Sequence, residues 1–309
     1  MRIVALAGGI GGARFLRGVK AAVPDAQITV VVNTGDDTTL YGLRVCPDLD
    51  TLMYTLGGGI DDERGWGRLD ESWRAKEELA EYGSPTAWFG LGDRDLATHL
   101  RRTQLMLGGL TLTEATASLC ERWQPGVTLV PMSDTQAETH VTVTVDGVRR
   151  AIHFQEWWIK HQAALPAESI TLVHHGDLLP APGVLEALDA ADVVLLPPSN
   201  PVVSIGTILQ VKGIREALGA KRVVGLSPIV GGAPVRGMAD ACLAAIGVET
   251  SAEAVGRHYG SDLLDGWLVD TKDAGATVPG VSVLAVPLLM TDLDATLAMA
   301  RAALELAGA

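Results

Sequence analysis

The chain has 309 residues, of which 48% are hydrophobic and 20% charged, and this composition is typical of a compact globular protein with a large core. A formal net charge of −13 excludes broad, sequence-independent binding to nucleic acid or to an anionic membrane, and no apolar run approaches the ~20 residues of a membrane span. Three widely separated cysteines favour neither a disulfide framework nor a zinc site, and they predict a reduced, cytoplasmic setting.

Short β-branched runs alternate with longer amphipathic stretches, which predicts an α/β fold with a Rossmann-like parallel sheet and helices on both faces. The predicted core strands are Arg2–Ala7, Gln27–Val32, Ile170–His174, Asp192–Leu196, Arg222–Leu226 and Val281–Val286. The predicted helices are Gly12–Ala22, Ser204–Leu218, Ala233–Ala245, Ala252–Tyr259 and Asp292–Leu306.

The stretch 60–165 differs in composition, because it is charged, largely helical and holds six of the seven tryptophans. We expect it to be an inserted lid or acceptor-binding region between two parts of a nucleotide-binding core, residues 1–59 and 166–309. Within it, Thr139–Val145 and Val148–Phe154 flank Asp146-Gly147, a residue pair suited to a two-residue turn. An antiparallel hairpin is predicted there.

A glycine-rich loop, with Gly9, Gly11 and Gly12, follows the first strand and opens a helix. Glycines at this place let the backbone approach a phosphate beside free helical N–H groups, although a structural tight turn is the alternative. Arg14 stands where a dinucleotide-binding fingerprint would have its third glycine.

Acidic residues gather after the second strand. Asn33, Thr34, Asp36 and Asp37 lie where a dehydrogenase places its ribose-binding acid, but two acids exceed that role, and a turn stabilised by Asn and Asp side chains is the alternative. Shortly afterwards Asp48, Asp50 and Thr51 form a second group. Two carboxylates projecting to one side would suit Mg²⁺, whereas capping of the next helix is the simpler interpretation.

Three later segments carry further candidates. In Gly92–His99, Asp93 or Asp95 is expected to cap a helix, His99 to bond Asp95 across one turn, and Arg94 to contact an anion. The Trp157-Trp158 pair could stack on a flat heterocycle or pack in the core. Ser199, Asn200 and Ser204 follow a core strand and open a helix, and we expect these strand-end loops to share one ligand crevice.

Eight segments taken together, in the same order along the chain, resemble the 2-phospho-lactate transferase family of coenzyme F-420 biosynthesis. They are GGIGGARFL, NTGDD, CPDLDT, GLGDRDLATHL, HFQEWW, PPSNPVVSIG, SPIVGG and VPLLMTD. Tyr54–Gly67 and Leu263–Val269 are most similar to the actinobacterial branch, described as phosphoenolpyruvate transferases.

The resemblance implies a guanosine diphosphate ester of enolpyruvate or lactate as donor, the deazaflavin Fo as acceptor, GMP as product, Mg²⁺ as cofactor and a homodimer. It implies that Asp50 lies between the metal and the acceptor hydroxyl, and that Asp37 is the second metal contact. Donor and acceptor contacts would come from Gly9, Gly11, Gly12, Asn33, Thr34, Asp36, Asp48, Thr51, Arg94, His99, Trp157, Ser199, Asn200 and Ser204.

Two other functions compete with this one. An NAD-dependent oxidoreductase is favoured by the first strand, the glycine loop and the acidic end of the second strand, but Arg14 and the extra acids count against it. A non-catalytic guanine-nucleotide-binding regulator is disfavoured because the chain has no Walker-type phosphate-binding motif.

Overall fold

The computed structural model describes residues 1–309 and contains fourteen short strands. In chain order they are β1 (Arg2–Ala7), β2 (Gln27–Val32), β3 (Thr38–Leu40), β4 (Leu43–Val45), β5 (Thr128–Pro131), β6 (Ala137–Val145), β7 (Val148–His153), β8 (Ser169–His174), β9 (Val193–Leu196), β10 (Val223–Leu226), β11 (Ile229–Val230), β12 (Ala233–Pro234), β13 (Gly266–Val269) and β14 (Ser282–Ala285).

Eleven α-helices connect or cover these strands. They are α1 (Gly9–Ala22), α2 (Pro47–Leu56), α3 (Arg74–Glu81), α4 (Asp93–Leu107), α5 (Leu112–Trp123), α6 (Val184–Ala190), α7 (Ile205–Ile208), α8 (Ile214–Leu218), α9 (Ala239–Ala245), α10 (Ala252–Tyr259) and α11 (Leu293–Ala307). A π-helical turn at Glu156–Lys160 and a 3-10 turn at Thr271–Asp273 complete the helical structure. None of the helices combines the length and the apolar character that crossing a membrane requires.

A seven-stranded parallel sheet in the order β14-β13-β10-β9-β1-β2-β5 forms the centre of the fold. The order runs outward in both directions from the pair β1 and β9, as in doubly wound nucleotide-binding folds. The loops that follow β1 and β9 therefore leave the sheet in opposite directions and open a crevice between them. The predicted α/β class and parallel sheet are confirmed.

The alternation of side chains along the strands divides the hydrophobic core into two layers. In β1, Val4 and Leu6 pack with α6 to α10 on one face, whereas Ile3 and Ala5 pack with α1, α2 and α11 on the other. Each layer contains about thirty buried residues, 31 on the first face and 30 on the second. Helices thus cover both faces, and only the loop ends of the sheet remain for binding.

A separate three-stranded antiparallel sheet, β7-β6-β8, lies beside the central sheet. The predicted hairpin is confirmed, and its turn residues Asp146 and Gly147 both have positive φ. The assignment of Ile170–His174 to the core sheet was wrong, because β8 pairs with β6. The side chains of β8 are half-buried or exposed, not buried as in the core strands. Conversely, β5 lies within 60–165 and yet forms the edge of the central sheet beside β2.

Two predicted helices are shorter than expected for backbone reasons. The helix predicted at Ser204–Leu218 is interrupted between α7 and α8, where Gly213 has a φ of 86° that a continuous helix does not allow. The helix predicted at Ala233–Ala245 begins only at Ala239, because Pro234 lies in β12 and Gly237 adopts a φ of 80°. The last helix starts as predicted, with Asp292 accepting a hydrogen bond from the Ala295 amide.

Candidate active site

The loops after β1 and β9 touch at the point where the strand order reverses. The Ser199 hydroxyl accepts a hydrogen bond from the Gly8 amide at 3.1 Å and donates one to the Gly8 carbonyl at 2.8 Å. A Cβ on Gly8 would collide with Asp48 and Ser204, and one on Gly11 would collide with the Pro198 carbonyl oxygen. Glycine is therefore required here because three loops converge on one point.

We call Asn33, Asp36 and Asp48 the asparagine pocket. Asn33 Nδ2 donates to Asp48 Oδ2 at 2.9 Å and to Asp36 Oδ1 at 3.3 Å, and all three side chains are buried. Asn33 Oδ1 accepts hydrogen bonds from the Gly35 amide at 2.9 Å and from the Thr207 hydroxyl at 2.6 Å. One amide side chain therefore bridges two carboxylates and fixes their separation.

The carboxylates of the asparagine pocket have no guanidinium or ammonium partner. Burial raises the pKa of Asp48 to about 6, although the Asn33 amide and the Gly9 backbone oppose that shift. Burial and the charge of Asp48 raise the pKa of Asp36 well above its usual range. The ligand-free pocket therefore favours the protonated form of its carboxylates, because the protein supplies no cation to neutralise them.

We call Asp37, Arg44, Asp50 and Arg102 the arginine pocket. Arg44 Nη2 lies 2.9 Å from Asp37 Oδ2, and both side chains are largely or fully buried. The Arg102 guanidinium binds both oxygens of Asp50, with Nη1 at 3.1 Å from Oδ2 and Nη2 in close contact with Oδ1. Each carboxylate therefore has its own planar cationic partner, the geometry that arginine favours.

A buried chain of polar side chains continues from Asp50 along α4. His99 Nδ1 lies 3.5 Å from Asp50 Oδ2, and His99 Nε2 lies 3.5 Å from Asp95 Oδ2. The Tyr54 hydroxyl donates to Asp95 Oδ1 at 2.7 Å. Although burial acts to raise the pKa of Asp95, it is lowered because His99 and Tyr54 favour the carboxylate. His99 thus lies beside Asp95 as predicted, but its Nε2 makes no hydrogen bond. The prediction that Asp93 or Asp95 caps this helix was wrong, because α4 begins after Gly92 without a side-chain cap.

The two pockets lie close enough to act on each other electrostatically. Burial raises the pKa of Asp37 to about 6 against the attraction of Arg44, and the Asp50 carboxylate contributes to this rise. Asp48 and Asp36 also interact with Asp37. The predicted residues Asp36, Asp37, Asp48 and Asp50 are therefore brought together at one rim of the sheet. The prediction that the Asp48 and Asp50 carboxylates project to one side was wrong, because both residues lie in the first turn of α2 and enter different pockets. Neither of them caps α2, which begins after Cys46 without a side-chain cap.

The donor atoms of this rim fit a hard divalent cation. Asp37 Oδ1 is buried and accepts no hydrogen bond, so one carboxylate oxygen remains available to a cation. Asp50, Asp95 and His99 also place ligand atoms within 4.8 Å of one another. That set suits Mg²⁺ less well, because a histidine nitrogen is not a preferred Mg²⁺ ligand.

Other predicted residues have structural partners of their own. Asn200 Oδ1 accepts hydrogen bonds from the amides of Val202 and Val203, which shapes the loop after β9. Gly9 has a φ of 64° at the start of α1. Ser204, Thr51 and Thr34 are buried, and the Thr34 hydroxyl has no hydrogen-bond partner. Gly12 packs against Ser199.

Two predicted contacts do not reach the rim. Arg94 is exposed, and its guanidinium binds the Leu69 carbonyl at 3.2 Å and lies 3.9 Å from Asp70. Trp157 is fully buried, and its indole N–H donates to the Leu165 carbonyl at 2.8 Å. The ring packs with Phe154 in the core of the three-stranded sheet, so the core-packing alternative describes Trp157 better than an exposed stacking surface.

The sequence reasoning missed Arg44 and Arg102, the cations that define the arginine pocket. A signal for Arg102 was present, since Asp95, His99 and Arg102 follow the i, i+4, i+7 spacing of one helical face. Arg44 lies in a three-residue strand and carries no comparable pattern. Thr207, which holds Asn33 from the far side of the crevice, likewise has no local signal.

Comparison with known proteins identifies the family. Residues 3–279 match the family model described as 2-phospho-L-lactate transferase CofD. The chain belongs to the CofD family. The resemblance carried by the eight segments is thereby confirmed, and the CofD family assignment makes this protein a transferase rather than an oxidoreductase.

Relatives of this CofD protein match it over almost their whole length. A phosphoenolpyruvate transferase of Streptomyces griseus is 66% identical over 313 residues, covering 99% of this chain and 98% of the relative. The phosphoenolpyruvate transferases of Thermobifida fusca and Mycolicibacterium smegmatis are 62% and 56% identical, covering 98% and 99% of those relatives and 99% and 100% of this chain.

Solved structures support the fold of this CofD protein. A Bacillus halodurans protein of the UPF0052 family has a TM-score of 0.61 and 18% identity. The match covers 98% of this chain and 99% of that structure. At this identity the likeness concerns the fold.

Proposed function

We propose that this transferase moves a phosphoenolpyruvyl or 2-phospho-L-lactyl group from a guanosine diphosphate ester to the deazaflavin Fo in the biosynthesis of coenzyme F-420. The terminal ribityl hydroxyl of Fo would attack the phosphorus that carries the three-carbon acid. A new P–O bond would form, the diphosphate P–O bond would break, the hydroxyl proton would be lost and GMP would leave.

One observation supports this proposal more than any other. Four buried aspartates, Asp36, Asp37, Asp48 and Asp50, gather near the point where the sheet order reverses, and Asp48 lies against the glycine loop at Gly8. Ligands of doubly wound folds bind at that place, outside the carboxyl ends of the strands. A reaction on a polyanionic donor needs such a rim to hold a cation, since the chain itself has a net charge of −13.

In this proposal Asp37 and Asp50 hold Mg²⁺, which would neutralise charge on the diphosphate when it is bound. The partner-free Oδ1 of Asp37 offers one donor, and the neighbouring asparagine pocket would release a proton and gain negative charge when a cation binds. Arg44 and Arg102 hold the Asp37 and Asp50 carboxylates in fixed orientations. Asp50 would accept a hydrogen bond from the acceptor hydroxyl and so orient it for attack.

The start of α1 would receive donor phosphate. The Gly9, Gly11 and Gly12 amides lie in the first turn of a fourteen-residue helix that has no side-chain cap and no acidic residue in that turn. The Asp48 carboxylate already accepts a hydrogen bond from the Gly9 amide, so the other N–H groups of this turn and the helix dipole would favour the anion. Ser199, Asn200 and Ser204 would line the nucleotide side of the same crevice, in a homodimeric cytoplasmic enzyme.

The decisive experiment offers purified protein Fo and Mg²⁺ with each of the two donors in parallel. GMP release is followed by chromatography, and the deazaflavin product is identified by its mass. We expect GMP and product to form in equal amounts with at least one donor, and neither to form without Fo. Tight NAD binding with no GMP release from either donor would contradict the proposal.

A further inference from the structure

His153, at the end of β7, contacts the backbone of the acidic loop after β2. Its Nε2 lies 3.2 Å from the Asp37 carbonyl oxygen, and its Nδ1 lies 3.1 Å from the Gln155 amide nitrogen. A second contact joins the same two parts of the molecule, since the Thr139 amide donates to the Gly35 carbonyl at 2.6 Å. The three-stranded sheet therefore holds the acidic loop on both sides of Asp36.

The two contacts of the His153 ring determine where its proton lies. A backbone amide can only donate, so Nδ1 must accept from Gln155 and carries no proton. A carbonyl oxygen can only accept, so Nε2 must carry the proton and donate it to Asp37. The ring is thus a neutral imidazole in the Nε2–H tautomer with both nitrogens engaged.

This geometry leaves His153 no free nitrogen for a ligand or a substrate proton. It also acts on the Asp37 backbone rather than on the carboxylate, which Arg44 binds from the other side. The Asp37 amide meanwhile donates to the Thr34 carbonyl at 3.2 Å. The amide, the carbonyl and the side chain of Asp37 are therefore each held by a different partner.

We propose that His153 is a positioning residue for the transfer site: its Nε2–H fixes the Asp37 peptide and so sets the direction of the Asp37 carboxylate. This role rests on the proposed function, in which Asp37 binds the cation. It assigns to the three-stranded sheet the task of shaping the cation-binding rim, in addition to any contact with the acceptor.

Two substitutions test the two ring nitrogens of His153 separately. His153→Gln keeps an N–H donor near the place of Nε2, whereas His153→Asn keeps an acceptor near the place of Nδ1 and loses the donor to Asp37. His140→Gln is the matched control, because His140 lies on the same face with its ring 5.8 Å from that of His153 but pairs with Glu138.

The first measurement needs neither substrate nor metal. Imidazole ¹⁵N spectra of the ligand-free protein should show an unprotonated Nδ1 and a protonated Nε2 in His153. The Asp37 amide, which donates to the Thr34 carbonyl, should exchange about tenfold faster in His153→Asn, the scale of one lost hydrogen bond, and at the wild-type rate in His153→Gln and His140→Gln. Wild-type exchange in His153→Asn, or an Nδ1–H tautomer, would overturn the proposal.

The second measurement uses Mg²⁺ alone, by calorimetry on the same variants. We expect His153→Asn to bind Mg²⁺ about tenfold more weakly and His153→Gln to bind it like the wild type. Equal weakening in both variants, together with equal loss of thermal stability, would mean a purely structural role and would overturn the proposal. Failure of the wild type to release GMP would reject the proposed function, while the tautomer and exchange results would stand independently.

Discussion

The asparagine pocket and the arginine pocket are built from neighbouring aspartates but compensate their charge in opposite ways. Asp36 adjoins Asp37, and Asp48 lies two residues before Asp50, yet only the second member of each pair has a guanidinium partner. In the asparagine pocket, one neutral amide bridges both carboxylates. The difference teaches that one pocket fixes the direction of its carboxylates with arginine, whereas the other, which lacks a cation, favours protonated carboxylates.

The largest effect is expected from Asp50→Asn in the arginine pocket. We expect GMP release to slow by about 100- to 1,000-fold, the scale of losing one electrostatic contact to a reacting group. The variant also leaves the buried Arg102 unpaired, which should lower the free energy of unfolding by about 3–5 kcal/mol. Steady-state assays and denaturant titration measure the two effects.

The double variant Asp50→Asn/Arg102→Met is the control that separates them. It removes the unpaired charge and should regain most of the stability, because an apolar side chain of similar length replaces the buried cation. It should not regain turnover. Wild-type rates of GMP release in either variant would show that Asp50 has no role in the reaction.

A smaller effect is expected from Asp36→Asn in the asparagine pocket, and this substitution should increase stability, whereas Asp50→Asn should reduce it. Removing one of two mutually repelling, buried carboxylates should raise the thermal unfolding midpoint of the ligand-free protein by about 2 °C, corresponding to roughly 1 kcal/mol. Mg²⁺ should bind only a few-fold more weakly, since Asp37 and Asp50 remain. If Asp36→Asn abolished Mg²⁺ binding while Asp37→Asn did not, the roles of the pockets would have to be exchanged.

The smallest effect is a pH dependence of stability in the ligand-free protein. The pKa of Asp48 is raised from 3.8 to about 6, so between these values the folded form holds the proton more tightly than the unfolded chain. Its contribution to stability therefore falls as pH rises from about 4 to about 6 and is constant above.

The check compares thermal unfolding of the wild type and Asp48→Asn in calorimetric scans. On lowering the pH from about 7 to about 5, the wild type should gain stability relative to the variant. With Mg²⁺ present the gain should shrink, because protonated carboxylates bind the cation less well. A relative loss of wild-type stability over this range would contradict the uncompensated charge of the asparagine pocket.

Much of the fold could be predicted from the sequence wherever the pattern of a strand or helix is local. β1, β2 and α10 match their predicted bounds, because each is a compact run of one periodicity with a clear end. β5 and β13 were missed, although β9 and β10 are equally short and were predicted, and β8 was assigned to the wrong sheet. Periodicity indicates a strand but does not tell which sheet it joins.

The same limit applies to the site. The acidic segments were found from their position after β2, and the four aspartates do converge. Which member of each pair meets an arginine could not be predicted, because Arg102 comes from a helix fifty-two positions beyond Asp50. The burial of Trp157 was equally open, since an aromatic pair fits a core or a lid until the packing of Phe154 against it is known.

The most direct test of this account is a crystal structure with Mn²⁺ in place of Mg²⁺ and with GMP bound, in which anomalous scattering locates the metal. The account predicts one peak at ligand distance, about 2.2 Å, from oxygens of both Asp37 and Asp50, with the GMP phosphate at the start of α1. A peak held by Asp95 and His99 instead, or GMP bound away from the glycine loop, would contradict it.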